Sequence, residues 1–120
     1  MDASSALSCK SSVFPFLEAS NIDSRNLINY IEPIQEIADY AKNLGIMILL
    51  ETLLVAKDLK FLLESVDREN VACVFDTGNR INLNQNIKNE INLLKNSIYH
   101  VHIKDKNSKN KNVLLGTGKL

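Results

Sequence analysis

Apolar residues in this chain form four short runs, and the segments between them carry apolar residues at helical spacing. The runs are Ser12–Leu17 (SVFPFL), Ile46–Glu51 (IMILLE), Val71–Asp76 (VACVFD) and Ile98–Ile103 (IYHVHI). Runs with few or no polar positions predict strands that are buried on both faces. Because proline removes a donor from the strand ladder, we expect Pro15 at a bulge or at the end of its strand.

The longest of the intervening segments predicts a helix that begins near Leu27 and stops at Gly45. Asp23 or Ser24 is a plausible N-cap for this helix. Pro33 interrupts the pattern, so either the helix kinks there or a short turn precedes a helix whose first turn contains the proline.

Two further helices are predicted over residues 56–65 and around residues 86–94. TGNRINLN (residues 77–84) and the polar stretch 104–112 are predicted to be loops. Strands that alternate with helices are typical of right-handed crossovers and a parallel sheet. The predicted fold class is therefore α/β, with about four parallel strands.

Composition and charge narrow the class of protein. The 120 residues suit one small domain, and a hydrophobic content of 45% excludes a disordered chain. Fourteen basic side chains balance fourteen acidic ones, so no global field attracts nucleic acid or anionic lipid, although five lysines cluster after residue 103.

Two unpatterned cysteines, Cys9 and Cys73, indicate a reducing compartment. With no visible signal peptide or membrane-length apolar segment, we expect a cytoplasmic protein without nucleic-acid or membrane partners.

Three of the apolar runs end on residues that could bind a metal ion. Glu51 and Asp76 close two runs, and His100 and His102 lie two residues apart on the last. Parallel α/β folds place their chemistry at such strand ends. Side chains two apart on a strand face the same side, so both histidines should point the same way.

Each of these residues also has a simpler interpretation. Glu51 could be a rim carboxylate paired with a lysine, Asp76 could form a turn in DTGN, and a lone histidine is usually a core residue. Taken together, carboxylates and imidazole suit one divalent cation such as Mn²⁺, Mg²⁺, Co²⁺ or Zn²⁺. Open positions on that cation would hold substrate oxygens.

The sequence resembles the xylose isomerase-like TIM-barrel family, in particular its sugar phosphate isomerase/epimerase branch. The motifs that carry the resemblance are, in order, SVFPFLEAS, LGIMILLET, VFDTGN, IYHVHIKDK and LLGTGKL. The resemblance extends from about residue 12 to the end of the chain. It implies a partial (β/α)8 barrel.

The resemblance also implies a ligand set. Glu51 matches the metal-binding glutamate of the family, which can also act as a base towards a substrate C–H bond. Asp76 matches the aspartate ligand, and His102 matches the histidine ligand. His100 would be the neighbour of that ligand and a candidate for substrate contact.

Two more substrate contacts follow from the resemblance. Asn79 stands where many relatives have a histidine that touches substrate, which puts that contact in doubt. Lys104 is a candidate for contact with a substrate hydroxyl or phosphate.

A complete barrel has eight strands and about 250 residues. The four strand–helix steps look like the fourth to seventh strands. Residues 1–120 would then form a partial domain that lacks the first strands and the last strand. In relatives, the last strand brings a further glutamate as fourth ligand. We therefore expect a fragment that is inactive alone.

The function implied is a metal-dependent isomerase or epimerase of a small sugar or sugar phosphate, acting by proton transfer through an enediolate. The full-length protein could form a homo-oligomer. One alternative is an AP endonuclease of the endonuclease IV kind, although Asn79 replaces an expected histidine and no Asp-x-His pair follows Lys104. The other alternative is a non-catalytic barrel remnant.

Overall fold

A computed structural model describes residues 1–83 and 85–120 of the chain. Its main sheet has four strands in the order β1-β2-β3-β4, and every neighbouring pair is parallel. The strands are β1 (Ser11–Phe16), β2 (Met47–Thr52), β3 (Val71–Asp76) and β4 (Ile98–His102). The predicted fold class is confirmed, and each predicted strand lies within one or two residues of its expected bounds.

Five α-helices occur in the described residues: the first precedes β1, and the others lie between consecutive strands, as expected of parallel crossovers. They are α1 (Asp2–Ala6), α2 (Ile31–Asn43), α3 (Ala56–Val66), α4 (Thr77–Asn82) and α5 (Ile87–Leu94). No pattern in the sequence predicted α1. None of the helices in the described ranges is long and apolar enough to cross a membrane.

The start of α2 confirms one of the two predicted arrangements, a short turn followed by a helix whose first turn contains Pro33. A 3₁₀ turn occupies Leu27–Tyr30 and the α-helix begins only at Ile31, so the predicted N-caps are wrong. The Asp23 carboxylate instead accepts a hydrogen bond from the backbone N–H of Arg25. Pro33 lies in the first helical turn, where its missing N–H costs no intrahelical bond.

The end of α2 is as predicted. Gly45 follows the helix with a φ of +67°, a left-handed conformation that glycine adopts without a steric penalty. In β1, Pro15 is the second-last residue and pairs in regular register with Glu51. The strand lies at one edge of the sheet.

Two segments that were predicted to be loops contain regular structure. Residues 77–82 form α4, because the Asp76 side chain caps its first turn. Asn84, the last residue of that predicted loop, lies outside the described residues. In the 104–112 stretch, β5 (Asp105–Lys106) pairs antiparallel with β6 (Asn112–Val113). Both loop predictions were therefore wrong in these parts.

The two faces of the sheet bury different residues. Ile48, Leu50, Cys73 and Phe75 pack with the helices in the main core. Burial raises the pKa of the Cys73 thiol to about 11, consistent with an inert core thiol. Leu49, Ala72 and Val74 form a smaller cluster on the opposite face. By strand alternation, Glu51 and Asp76 share this second face.

Candidate metal centre

The residues predicted to bind metal lie at the carboxyl ends of three neighbouring strands. Glu51 is the second-last residue of β2, Asp76 ends β3 and His102 ends β4. Asp76 and His102 are direct partners in the β3–β4 register. The parallel topology therefore brings together residues that are about 25 positions apart in the chain.

Their donor atoms converge closely. Nδ1 of His102 lies 3.5 Å from Oε1 of Glu51 and 3.5 Å from Oδ2 of Asp76. One ligand atom from each residue lies within 4.8 Å of the others. Asp76 is 1% exposed and Glu51 8%, whereas one third of the His102 side chain is exposed. The site thus opens to solvent on the histidine side.

The donor set fits a divalent cation. Nδ1 of His102 is buried and has no hydrogen-bond partner among the described residues, and a buried polar atom of this kind requires an explanation. A cation between the two carboxylates and this nitrogen would supply the missing partner. Oxygen and imidazole donors suit Mg²⁺, Mn²⁺, Co²⁺ or Zn²⁺.

The Asp76 carboxylate is held at both oxygens. Oδ1 accepts hydrogen bonds from the backbone N–H groups of Gly78 (2.9 Å) and Asn79 (3.2 Å). Oδ2 lies 2.6 Å from the Lys104 ammonium. Burial favours the neutral carboxyl, but the contacts with Lys104 and the Asn79 N–H outweigh it and hold the pKa of Asp76 below its ordinary value. Asp76 thus presents an ionised oxygen to the site.

Gly78 allows the segment after β4 to approach this turn. A Cβ atom at residue 78 would lie 3.1 Å from Cβ of Lys104 and 3.0 Å from Cε of Lys106. It would also lie 3.2 Å from Oδ1 of Asp76. A side chain here would force these neighbours to shift away from residue 78, so glycine suits this position sterically.

The predicted substrate contacts surround the three donors. The His100 ring packs edge-on against His102, with ring centroids 5.2 Å apart, so both histidines face the same side of the sheet. Asn79 follows the capping turn, and its buried Nδ2 lacks a partner in the described part of the chain. Lys104 pairs with Asp76 and is otherwise partly exposed.

Two connections near the site were missed from the sequence. The Thr77 hydroxyl donates to the backbone carbonyl of Lys104 (2.7 Å) and accepts from its N–H (2.8 Å). Arg80 and Glu90 form a buried ion pair behind the strand ends. Little in the sequence indicated this pair, because Arg80 lies in a segment predicted to be a loop and a charged residue in a predicted helix, such as Glu90, usually lies on its exposed face.

Comparison with known proteins supports the resemblance seen in the sequence. A family model described as the xylose isomerase-like TIM barrel matches residues 1–120. The chain belongs to this family. No curated protein gave a significant match.

Solved structures share the fold. A xylose isomerase domain protein from Planctomyces limnophilus superposes with a TM-score of 0.83 at 23% identity, over 98% of this chain and 47% of its own. D-allulose 3-epimerase from Methylomonas sp., in complex with D-allulose, gives 0.76 at 20% identity, over 98% and 44%. A xylose isomerase-like TIM-barrel protein from Mycobacterium smegmatis, in complex with magnesium, gives 0.78 at 16% identity, over 99% and 50%.

The chain therefore spans about half the length of the structures that it matches. Its four parallel strands correspond to part of a TIM barrel, as predicted. The likeness at this level of identity concerns the fold, and the chemistry has to be argued from the site itself.

Proposed function

We propose that this chain carries the metal-binding part of an isomerase or epimerase that acts on a small sugar or sugar phosphate. The observation that carries the proposal is the convergence of Glu51, Asp76 and His102 at neighbouring strand ends in a family of TIM barrels. Several structural neighbours are named as sugar epimerases, and one was solved with a sugar bound.

Glu51, Asp76 and His102 would together hold one divalent cation, Mn²⁺, Mg²⁺, Co²⁺ or Zn²⁺. When bound, such a cation supplies Lewis-acid stabilisation of negative charge on adjacent substrate oxygens. Asp76 is suited to a purely binding role, because its two oxygens are already fixed by the capping N–H groups and Lys104.

Glu51 is the base in this proposal. Its carboxylate would take the proton from the carbon next to the substrate carbonyl, and the electrons of the broken C–H bond would form the enediolate. Return of the proton to the former carbonyl carbon, together with transfer of the hydroxyl proton to the former carbonyl oxygen, would complete an isomerisation. An epimerisation needs return of a proton to the opposite face of the same carbon, which requires a second acid outside this set of residues.

Substrate orientation would come from the polar groups around the donors. Asn79 has a buried amide nitrogen able to donate a hydrogen bond, and Lys104 offers a cation to a hydroxyl or phosphate oxygen. His100 lies on the same face as His102, further from the strand end. These three contacts complete the proposed substrate site within this chain.

We further propose that residues 1–120 form a partial domain, equivalent to strands four to seven of the barrel. Such a chain would bind metal but would not turn over substrate alone. The complete protein would be a cytoplasmic enzyme without nucleic-acid or membrane partners, and it could be a homo-oligomer.

A non-catalytic remnant is the second candidate, and one contact favours it. The Lys104 ammonium lies 2.6 Å from Asp76 Oδ2, so a cationic side chain already occupies one side of the carboxylate that would face the metal. An endonuclease IV-like activity is less favoured. The described residues offer a single group of three candidate ligands, and the chain has two histidines, whereas a trinuclear site needs more.

A hybrid barrel tests the proposal. Residues 1–120 would replace the aligned half of a known sugar epimerase, and uptake of deuterium from D₂O into ketoses and ketose phosphates would be followed by NMR. We expect metal-dependent exchange that is lost in Glu51→Gln and kept in Leu7→Ala, a control at a residue that is 77% exposed. A folded, metal-loaded hybrid without exchange would support the remnant instead.

A further inference from the structure

A buried ion pair lies behind the candidate metal centre. Nη1 of Arg80, on α4, is 2.9 Å from Oε2 of Glu90, on α5. The side chains are 1% and 6% exposed, so both charges have left water. A buried charge needs partners for its polar atoms, and Nε of Arg80 has none among the described residues, so the contacts of Nη1 and of the Glu90 carboxylate stabilise the pair.

Both members of the pair also bind the segment that follows β2. Nη1 of Arg80 donates a short hydrogen bond to the carbonyl of Leu54. Oε1 of Glu90 accepts a hydrogen bond of 2.9 Å from the backbone N–H of Ala56, the first residue of α3. Leu54 lies three residues after Glu51, so the pair binds the backbone just beyond the proposed metal ligand.

The other attachment of the pair is close to Asp76. Arg80 is the fourth residue of the helix that Asp76 caps, so its backbone moves with that carboxylate. The guanidinium carbon also lies 5.5 Å from the ring centre of Phe75, the residue before Asp76 on β3. The Arg80 guanidinium therefore contacts the segment after β2, while the backbone of Arg80 lies in α4, directly after β3.

We propose that Arg80 and Glu90 are positioning residues that fix the separation between Glu51 and Asp76. This inference rests on the proposed metal site. Leu54 and Ala56, in the segment after β2, also pack in the main apolar core, and apolar contacts of this kind are not directional. A charged, hydrogen-bonded pair supplies directional contacts there.

The deciding variant removes both charges at once. Arg80→Ala alone would leave Glu90 buried without a partner and could unfold the chain. Arg80→Met combined with Glu90→Leu replaces the pair with apolar groups of similar size, which buried ion pairs often tolerate. The hydrogen bonds to Leu54 and Ala56 are lost in this double variant.

Asn70→Leu provides a matched control. Asn70 is also buried and also binds backbone carbonyls across elements, donating from Nδ2 to Ala38 (2.7 Å). It precedes β3 and so lies at the opposite end of the sheet. Both variants thus lose buried hydrogen bonds between a side chain and the backbone of another element, but only the Arg80/Glu90 variant loses them near the proposed metal site.

Two readouts are measured on the 120-residue chain: the Mn²⁺ dissociation constant by EPR titration, and amide hydrogen exchange. In the double variant we expect affinity to fall about tenfold or more, the range seen when supporting partners of ligands are removed. Exchange at Leu54 and Gly78 should accelerate, while Ile48 stays protected. Asn70→Leu should keep the native Mn²⁺ affinity.

The outcomes separate the inference from the proposed function. Unchanged Mn²⁺ affinity in the double variant overturns the positioning role, even if exchange accelerates. If the native chain binds no Mn²⁺, the proposed function fails, and exchange alone then decides the inference. Faster exchange confined to Leu54 and Gly78 supports it, and native exchange at both overturns it.

Discussion

The Lys104 ammonium lies 2.6 Å from Oδ2 of Asp76, an oxygen that also lies 3.5 Å from Nδ1 of His102. The lysine therefore neutralises part of the negative charge that would attract a cation. The carboxylate in turn raises the pKa of Lys104, so the ammonium stays charged. Lys104 and a bound metal compete for the same side of Asp76.

Replacing Lys104 with methionine should strengthen metal binding. The Lys104 side chain is 44% exposed, so its repulsion of a cation is screened. Unit charges 4 Å apart in water interact by about 1 kcal/mol, so the repulsion of a divalent ion is about 2 kcal/mol, which sets an upper bound on the order of 30-fold for the gain in affinity. Calorimetric titration with Mn²⁺ measures it.

Lys106→Met is the control for this variant, because the Lys106 ammonium binds the Asn110 carbonyl and no metal-site carboxylate. We expect near-native affinity there. Equal gains in both lysine variants would show that general charge, and not competition at Asp76, sets the affinity.

The C-terminal segment is organised around one carboxylate. Asp105 is 1% exposed and accepts backbone N–H bonds from Gly116, Gly118, Lys119 and Leu120, at 2.8 to 3.0 Å. The hydrogen bond from the Leu120 N–H contributes most to lowering the pKa of Asp105. Burial acts in the opposite direction, and the N–H groups of Gly118, Lys106 and Lys119 lower the pKa further. The ionised form of Asp105 therefore stabilises the fold.

The sign of the pH dependence follows from this lowered pKa. A carboxyl whose pKa is lower in the folded state contributes stability above its unfolded value, here 3.8, and loses it as pH falls through the folded pKa. The chain should thus have a higher Tm than Asp105→Asn near pH 7, and the difference should shrink below about pH 4. Thermal unfolding followed by circular dichroism from pH 3 to 8 checks this. A Tm difference that stays constant over the range would contradict it.

Much of the fold was predictable because the signal was local. Runs such as Val71–Asp76 contain the burial pattern of a strand in their own residues, and Gly45 marks a helix end by its conformational freedom. The convergence of Glu51, Asp76 and His102 was also predictable, since parallel strands bring their carboxyl ends together regardless of the intervening sequence.

What could not be predicted depends on contacts between distant residues. Residues 77–82 are helical because Asp76 caps them and Arg80 pairs with Glu90 ten positions later; the capping residue is adjacent in the sequence, but Glu90 is not visible in the local pattern. The β5–β6 hairpin likewise depends on Asp105 gathering N–H groups more than ten residues away. From the sequence alone, polar residues that form such contacts in the fold cannot be distinguished from polar residues of an exposed loop.

The open sheet edge at β4 should make the isolated chain self-associate. Val101 and Ile103 are 48% and 61% exposed at this edge, and exposed apolar edges pair with other chains. Ile103→Lys should reduce association, measured by light scattering after size exclusion. Ile28→Lys, at a residue 68% exposed and outside the strands, should not. A native chain that stays monomeric at high concentration would contradict this prediction.

The most direct measurement is a Mn²⁺ titration of the native chain, His102→Ala and His100→Ala, with the bound metal counted by elemental analysis. Because Nδ1 of His102 faces both carboxylates, we predict one ion per chain in the native protein and in His100→Ala. Loss of the His102 ligand should weaken binding by roughly 100-fold or more, beyond the effect of removing a supporting partner. Native affinity in His102→Ala, or no stoichiometric Mn²⁺ binding in the native chain, would contradict a metal centre formed by Glu51, Asp76 and His102.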